Sequence, residues 1–151
     1  MKVEILIIKV SKCYPLRHKM LRKGNPFQTC HFDGDNSKGT FHLGALVDKE
    51  IIGIISIYEK ELSQFKNSKG AQFRGIAVAS KYQRKGVASK LINYAQKETI
   101  KRINPKYIWL NGRISANNLY LDRGFKPIGD RFEINTIGIH QRFIKMLSND
   151  N

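Results

Sequence analysis

Between the apolar segment Phe73–Val78 and an amphipathic segment beginning at Val87 lies a basic loop ending in Gln83-Arg84-Lys85-Gly86-Val87-Ala88. This junction constrains the fold more than any other part of the chain. From Val87 the apolar residues Val87, Ala88, Leu91, Ile92, Ala95 and Ile100 recur at helical spacing, with Lys90, Asn93, Lys97 and Lys101 on the opposite face. Pro105 marks the end of that helix, and Tyr107–Leu110 reads as the next strand. A strand, loop, helix, strand unit of this kind argues for an α/β sheet of mixed direction rather than a pure barrel or a helical bundle.

The flanking segments fit such a sheet. Lys2–Val10 is a β-branched run that reads as a strand buried on much of both faces. Ser11 or the residues just after it cap a helix with Pro15 in an early position and Leu16, Met20 and Leu21 at helical spacing, ended by Gly24–Pro26. After the turn-rich loop His31–Gly39, Phe41–Val47 and Ile51–Tyr58 form a hairpin about Asp48–Glu50, and the polar stretch Glu59–Gly70 is a connection. Ser115–Arg123 is a short helix with Ser115 as cap and Gly124 as left-handed terminator. Phe125–Ile134 and Ile137–Met146 form a last hairpin turning at Asn135 and Thr136, followed by a frayed tail. The expectation is one domain over residues 1–151, with about seven strands in a mixed central sheet flanked by three to four helices.

Composition narrows the partners without naming one. There are 27 Lys plus Arg against 12 Asp plus Glu, a net charge of +15, so the field favours phosphates, nucleic acid, anionic lipid or an acidic substrate. Cys13 and Cys30 have no C-x-x-C partner, and His18, His31, His42 and His140 lack metal-ligand spacing, so no metal site is expected. The runs Ile5–Ile8 and Ile51–Ile55 are too short to cross a membrane, and Glu4 sits where a signal peptide would be basic. A cytoplasmic protein that does not bind membranes is the expectation.

The loop itself suits an anion. The first amides of a helix have no helical acceptor and point along the positive end of its dipole. Gly86 and Ala88 let a diphosphate approach the backbone closely, and Arg84 and Lys85 add charge beside it. Neither G-x-x-x-x-G-K-[ST] nor G-x-G-x-x-G occurs, so the common nucleotide-binding motifs are excluded.

Gln83-Arg84-Lys85-Gly86-Val87-Ala88 resembles the Q/R-x-x-G-x-G/A signature of the GNAT superfamily of N-acetyltransferases, which use acetyl-coenzyme A. The preceding strand is similar to that family's strand before the loop, and Leu119-Tyr120-Leu121-Asp122-Arg123-Gly124-Phe125 resembles its Y-x-x-x-G-F element. The resemblance implies that the cofactor's pantetheine arm bonds to the backbone of Ile76, Ala77 and Val78 as an added strand would. It implies that the pyrophosphate sits on the amides of Gln83, Arg84, Lys85, Gly86, Val87 and Ala88, with the Ser89 hydroxyl beside them. Tyr120 then matches the tyrosine that protonates the departing thiolate, while a backbone N–H at Ile76 or a neighbour polarises the carbonyl.

The acceptor, on this reading, is a primary amine of a small molecule or peptide, which must lose a proton before attack. His140 and His42 are the titratable candidates for the base. Where many superfamily members have Asn seven positions before the tyrosine, this chain has Arg113, which could bind an acidic acceptor, leaving Asn117 or Asn111 as the cofactor contact. Arg74 is either an acceptor ligand or a structural partner of Asp33 or Asp35. The acceptor pocket is expected around His31–His42 and Glu133–His140, and the edge strands leave a homodimer open. Two alternatives stand beside the enzyme: a basic nucleic-acid-binding domain, ranked lower because no base-stacking aromatic set accompanies the charge, and a fold member that binds coenzyme A without catalysis.

Overall fold

The computed structural model describes residues 1–135 and 137–147; Thr136 of the expected last turn, and the tail beyond Leu147, lie outside the described residues. Seven strands, β1 (Glu4–Ile8), β2 (Phe41–Val47), β3 (Glu50–Glu59), β4 (Gly70–Val78), β5 (Tyr107–Arg113), β6 (Lys126–Ile134) and β7 (Gly138–Met146), form one sheet in the order β1-β2-β3-β4-β5-β7-β6. Only β4 and β5 run parallel, joined by the crossover helix α2 (Val87–Arg102); every other pair is antiparallel. The sheet is therefore mixed, as the central unit required.

Strand β3 shows how the sheet is covered. Its residues alternate between faces, so Ile55 and Ile57 pack with Val87, Leu91, Ile92 and Ala95 of α2, while Ile54 packs with Cys13 and Leu16 on the other side. Gly53 lies directly beneath α2, where a Cβ would stand 3.0 Å from both Leu91 and Val87. The β2–β3 turn is tight because Asp48 and Lys49 both take positive φ, at 49° and 69°, the geometry that matches strand twist in a two-residue hairpin.

Several expectations change. The first strand is shorter than Lys2–Val10 and is not buried on both faces: β1 is a sheet edge paired only with β2, leaving Leu6 42% and Ile7 46% exposed. The helix after it breaks into short turns, a 3-10 turn Val10–Lys12, α1 (Tyr14–Leu16) and a π-helical turn Arg17–Leu21, and no side chain caps it. On α2 the inward position expected for Ile100 belongs to Thr99, and Ile100 is 49% exposed. Strand β4 begins three residues before Phe73, where Gly70 lets the Tyr107 ring cross its backbone. Ser115 does not cap the next helix; a 3-10 turn Ile114–Ala116 leads into α3 (Asn117–Leu121), which Gly124 ends at φ +91° as expected.

Candidate active site

The site exists because β4 and β5 part company. They pair from Gly70↔Tyr107 to Phe73↔Leu110 and no further. Beyond that point β4 follows β3, with Arg74 opposite Ser56, while β5 follows β7, with Arg113 opposite His140. Opposite Ile55, β4 carries two residues, Gly75 and Ile76, and Gly75 takes φ +66°; this bulge turns the strand away from β5. Gly75 also leaves room for Phe32, whose ring a Cβ would meet at 3.3 Å.

The wedge between the two arms is a cleft of about 480 Å³ lined by Arg74, Gly75, Ile76, Ala77 and Val78 on one side and Asn111, Gly112 and Arg113 on the other. The inner edge of each arm has lost its neighbouring strand, so its amides and carbonyls remain available to an extended ligand. At the top of β4, Gln83 Nε2 donates to the Val78 carbonyl at 3.0 Å, tying the loop to the strand. Arg84 and Gly86 both take positive φ, at 62° and 79°. The first amide of α2 with a backbone acceptor is that of Lys90, which donates to Gly86 O at 3.1 Å; the amides of Val87, Ala88 and Ser89 precede it and are free by helical geometry. A backbone turned through such residues forms a concave nest of amides. The residues present thus fit a long ligand with a diphosphate at one end.

Tyr120 reaches the cleft from α3. Its ring packs against Phe143 at 5.2 Å between centroids and over Gly112, where any Cβ would collide with it. Burial pushes its hydroxyl up to about 12, with Arg113 opposing, so the proton stays on the oxygen at neutral pH. Among the described residues no protein group pairs with that hydroxyl.

His140 lines the other side, stacked on Phe132 at 5.9 Å. Its Nδ1 lies 2.9 Å from the Gly138 carbonyl, which can only accept, so Nδ1 carries the hydrogen and Nε2 keeps a lone pair in the neutral ring.

The other expected site residues divide between the cleft and positions away from it. His42 does not line the cleft. Its Nδ1 meets Ser56 Oγ at 2.7 Å and its Nε2 meets the Asp35 carbonyl at 3.1 Å, and burial lowers its pKa. Asp35 pairs with Arg17 rather than Arg74; Arg74 instead lies 4.5 Å over the Phe32 ring and faces the cleft. Asn117 does not line the cleft, and its Oδ1 is buried without a partner among the described residues. Asn111 does line it, its side chain held by Arg142 Nε at 2.9 Å.

Sequence reasoning missed the buried network that holds the loop beside the cleft in place. Arg17 is fully buried and donates to Asp35 Oδ2 at 2.7 Å, Asp35 Oδ1 at 3.0 Å, Cys30 O at 2.8 Å and Ser56 Oγ at 2.9 Å, while Tyr58 OH donates to Asp35 Oδ1 at 2.6 Å. The Phe32 amide donates to Asp35 Oδ2 at 2.9 Å, which fixes the loop beside the cleft. A signal existed: Arg17 stands three and four residues before Met20 and Leu21, a cation on the apolar stripe.

Removing one partner of such a pair strands the other. Arg17→Met is expected to cost about 3–5 kcal/mol in urea unfolding. A loss below about 1 kcal/mol would show the network to be loosely solvated. Burial alone would raise the Asp35 pKa, but the bonds from Arg17, Tyr58 and the Phe32 amide outweigh it and hold the pKa below its ordinary value. The network's contribution is therefore present above the ordinary carboxylate range and lost as pH falls through the lower folded value.

A splayed parallel pair capped by an amide nest, with a protonated phenol and an imidazole lining the gap, suits a long phosphate-bearing ligand laid along the open strand edge. The Acetyltransferase (GNAT) domain profile matches residues 28–146, and the chain belongs to the GNAT acetyltransferase family; it is an acyltransferase. It is 28% identical over 145 residues to the uncharacterized N-acetyltransferase YitI of Bacillus subtilis (strain 168), covering 96% of this chain and 97% of that one. The fold is shared with the NatC complex bound to Gag peptide and CoA, at a TM-score of 0.78 and 19% identity over 98% of this chain and 100% of that one. It is also shared with Arabidopsis thaliana NAA60 in complex with acetyl-CoA, at 0.74 and 14% over 97% and 99%.

Proposed function

We propose that the protein transfers the acetyl group of acetyl-coenzyme A directly to a primary amine. The observation that carries this reading is the pair of unpaired strand edges leading from the amide nest down to Tyr120. Family membership and the neighbours solved with CoA or acetyl-CoA support the choice of carrier. When bound, acetyl-coenzyme A supplies an acetyl thioester.

The backbone of Ile76, Ala77 and Val78 holds the carrier's amide-bearing arm, and the amides of Gln83, Arg84, Lys85, Gly86, Val87 and Ala88 hold its diphosphate, with Ser89 beside them. The Ile76 amide, in the bulge, polarises the reacting carbonyl. His140 Nε2 accepts the proton of the incoming ammonium, whose pKa is about 10 in water, directly or through one water. Tyr120 Oη holds a proton for the sulfur that leaves. Arg74 and Arg113 face the acceptor rather than the carrier.

The test is release of free thiol from acetyl-coenzyme A across a panel of primary amines. The expected result is amine-dependent release with an N-acetyl product identified by mass. Release independent of amine, or an O-acetyl product, would overturn the reading.

A further inference from the structure

The lower end of the cleft is lined by three guanidinium groups from separate elements. Arg22 follows the π-helical turn, Arg74 stands where β4 leaves β5, and Arg113 ends β5. Arg22 and Arg74 flank the Phe32 ring at 5.0 Å and 4.5 Å, with Arg17 on the same ring at 4.1 Å. Arg17 is neutralised by Asp35. Among the described residues, Arg22, Arg74 and Arg113 have no carboxylate within salt-bridge distance, and no acidic side chain lines the cleft. Burial first, then the charges of Arg74, Arg113 and Arg17, depress the Arg22 pKa. Arg22 and Arg74 are half-buried and Arg113 is exposed, and like charges brought together along one concave lining cost free energy unless an anion joins them.

The carrier's phosphates do not fill that role. Arg74 and Val78 are four residues apart along β4, at most about 13 Å given the bulge between them, and the amide nest lies beyond Val78. The cationic cluster is at the opposite end, beside His140 and Phe32, where the amine enters.

We propose that the acceptor amine carries an anionic group, carboxylate or phosphate, seated among Arg22, Arg74 and Arg113. This rests on the transferase reading above. Arg22 and Arg74 bind the anion across the edge of Phe32, Arg113 closes the third side, and the amine is left directed at His140 Nε2. Unsubstituted alkylamines then lack the anchor that positions them.

Matched acceptors test it: O-phosphoethanolamine against ethanolamine, and ω-amino acids of increasing length against the corresponding alkylamines. The expected result is a kcat/KM preference of about tenfold or more for the anionic member, the worth of one charge-assisted hydrogen bond. The preference should fall toward unity in Arg22→Ala and Arg74→Ala and recover in part in Arg22→Lys. The phosphate and carboxylate pairs report which anion the site prefers. Equal or better use of the neutral amines, or a preference untouched by both substitutions, overturns the proposal and leaves the transferase reading intact.

A binding arm separates the two claims. Inorganic phosphate and propionate are titrated into the protein saturated with coenzyme A, at an ionic strength of about 0.15 M, where isolated surface cations are screened. Saturable one-site binding lost in Arg22→Ala and Arg74→Ala supports the anion site even if no amine is acetylated. Absence of binding overturns it.

Discussion

Tyr120→Phe is expected to lower kcat about a hundredfold or more while leaving coenzyme A affinity nearly unchanged. Proton donation by a positioned side chain contributes on that order. The substitution isolates the hydroxyl because the ring's place is fixed by other atoms. Phe143 packs against it at 5.2 Å, and Gly112 lies bare beneath it. No protein group depends on the hydroxyl among the described residues, so its loss strands no buried partner and stability should hold. Since burial holds its pKa near 12, the tyrosine should impose no alkaline limb on the wild-type rate below about pH 11. Single-turnover kinetics with saturating carrier and amine give the comparison. A wild-type rate would remove Tyr120 as the acid, and an equal loss of affinity would make it a binding residue.

Much of this architecture can be read from residue patterns, and the limits of that reading have physical causes. The β4–α2–β5 unit is legible because period-2 and period-3.6 patterns meet at a glycine-bearing basic loop, and Pro105 and Gly124 punctuate the elements after it. The splay is not legible. It depends on Gly75 adopting φ +66° and on Phe32 packing against it from a loop more than forty residues earlier, a contact no local pattern encodes. The same distance hides the role of His42. On a strand it looks like any titratable candidate, and only the fold shows Asp35 and Ser56 occupying both ring nitrogens. The excess positive charge also divides in space. Arg84 and Lys85 flank the amide nest, while Arg22, Arg74 and Arg113 gather at the far end of the same cleft.

Gly86→Val is expected to weaken coenzyme A binding about a hundredfold while the fold survives. At φ +79° a β-branched residue is strained, at a cost of about 1–2 kcal/mol. A Cβ there meets nothing within 4 Å, so no core contact is disturbed and the melting temperature should drop only modestly. The loop amides, however, would rotate away from their common centre, and the added methyl groups would stand where a diphosphate must approach. Losing one or two charge-assisted hydrogen bonds accounts for the size of the effect. Amide hydrogen exchange with and without coenzyme A tests this together with the placement on which every proposed role depends, one carrier lying along β4 and ending on the α2 amides. Coenzyme A should slow exchange at Ile76–Val78 and at Gln83–Ser89 in the wild-type protein, and Gly86→Val should abolish the protection at the same concentration. Protection confined to other segments, or none at millimolar coenzyme A, would contradict that placement.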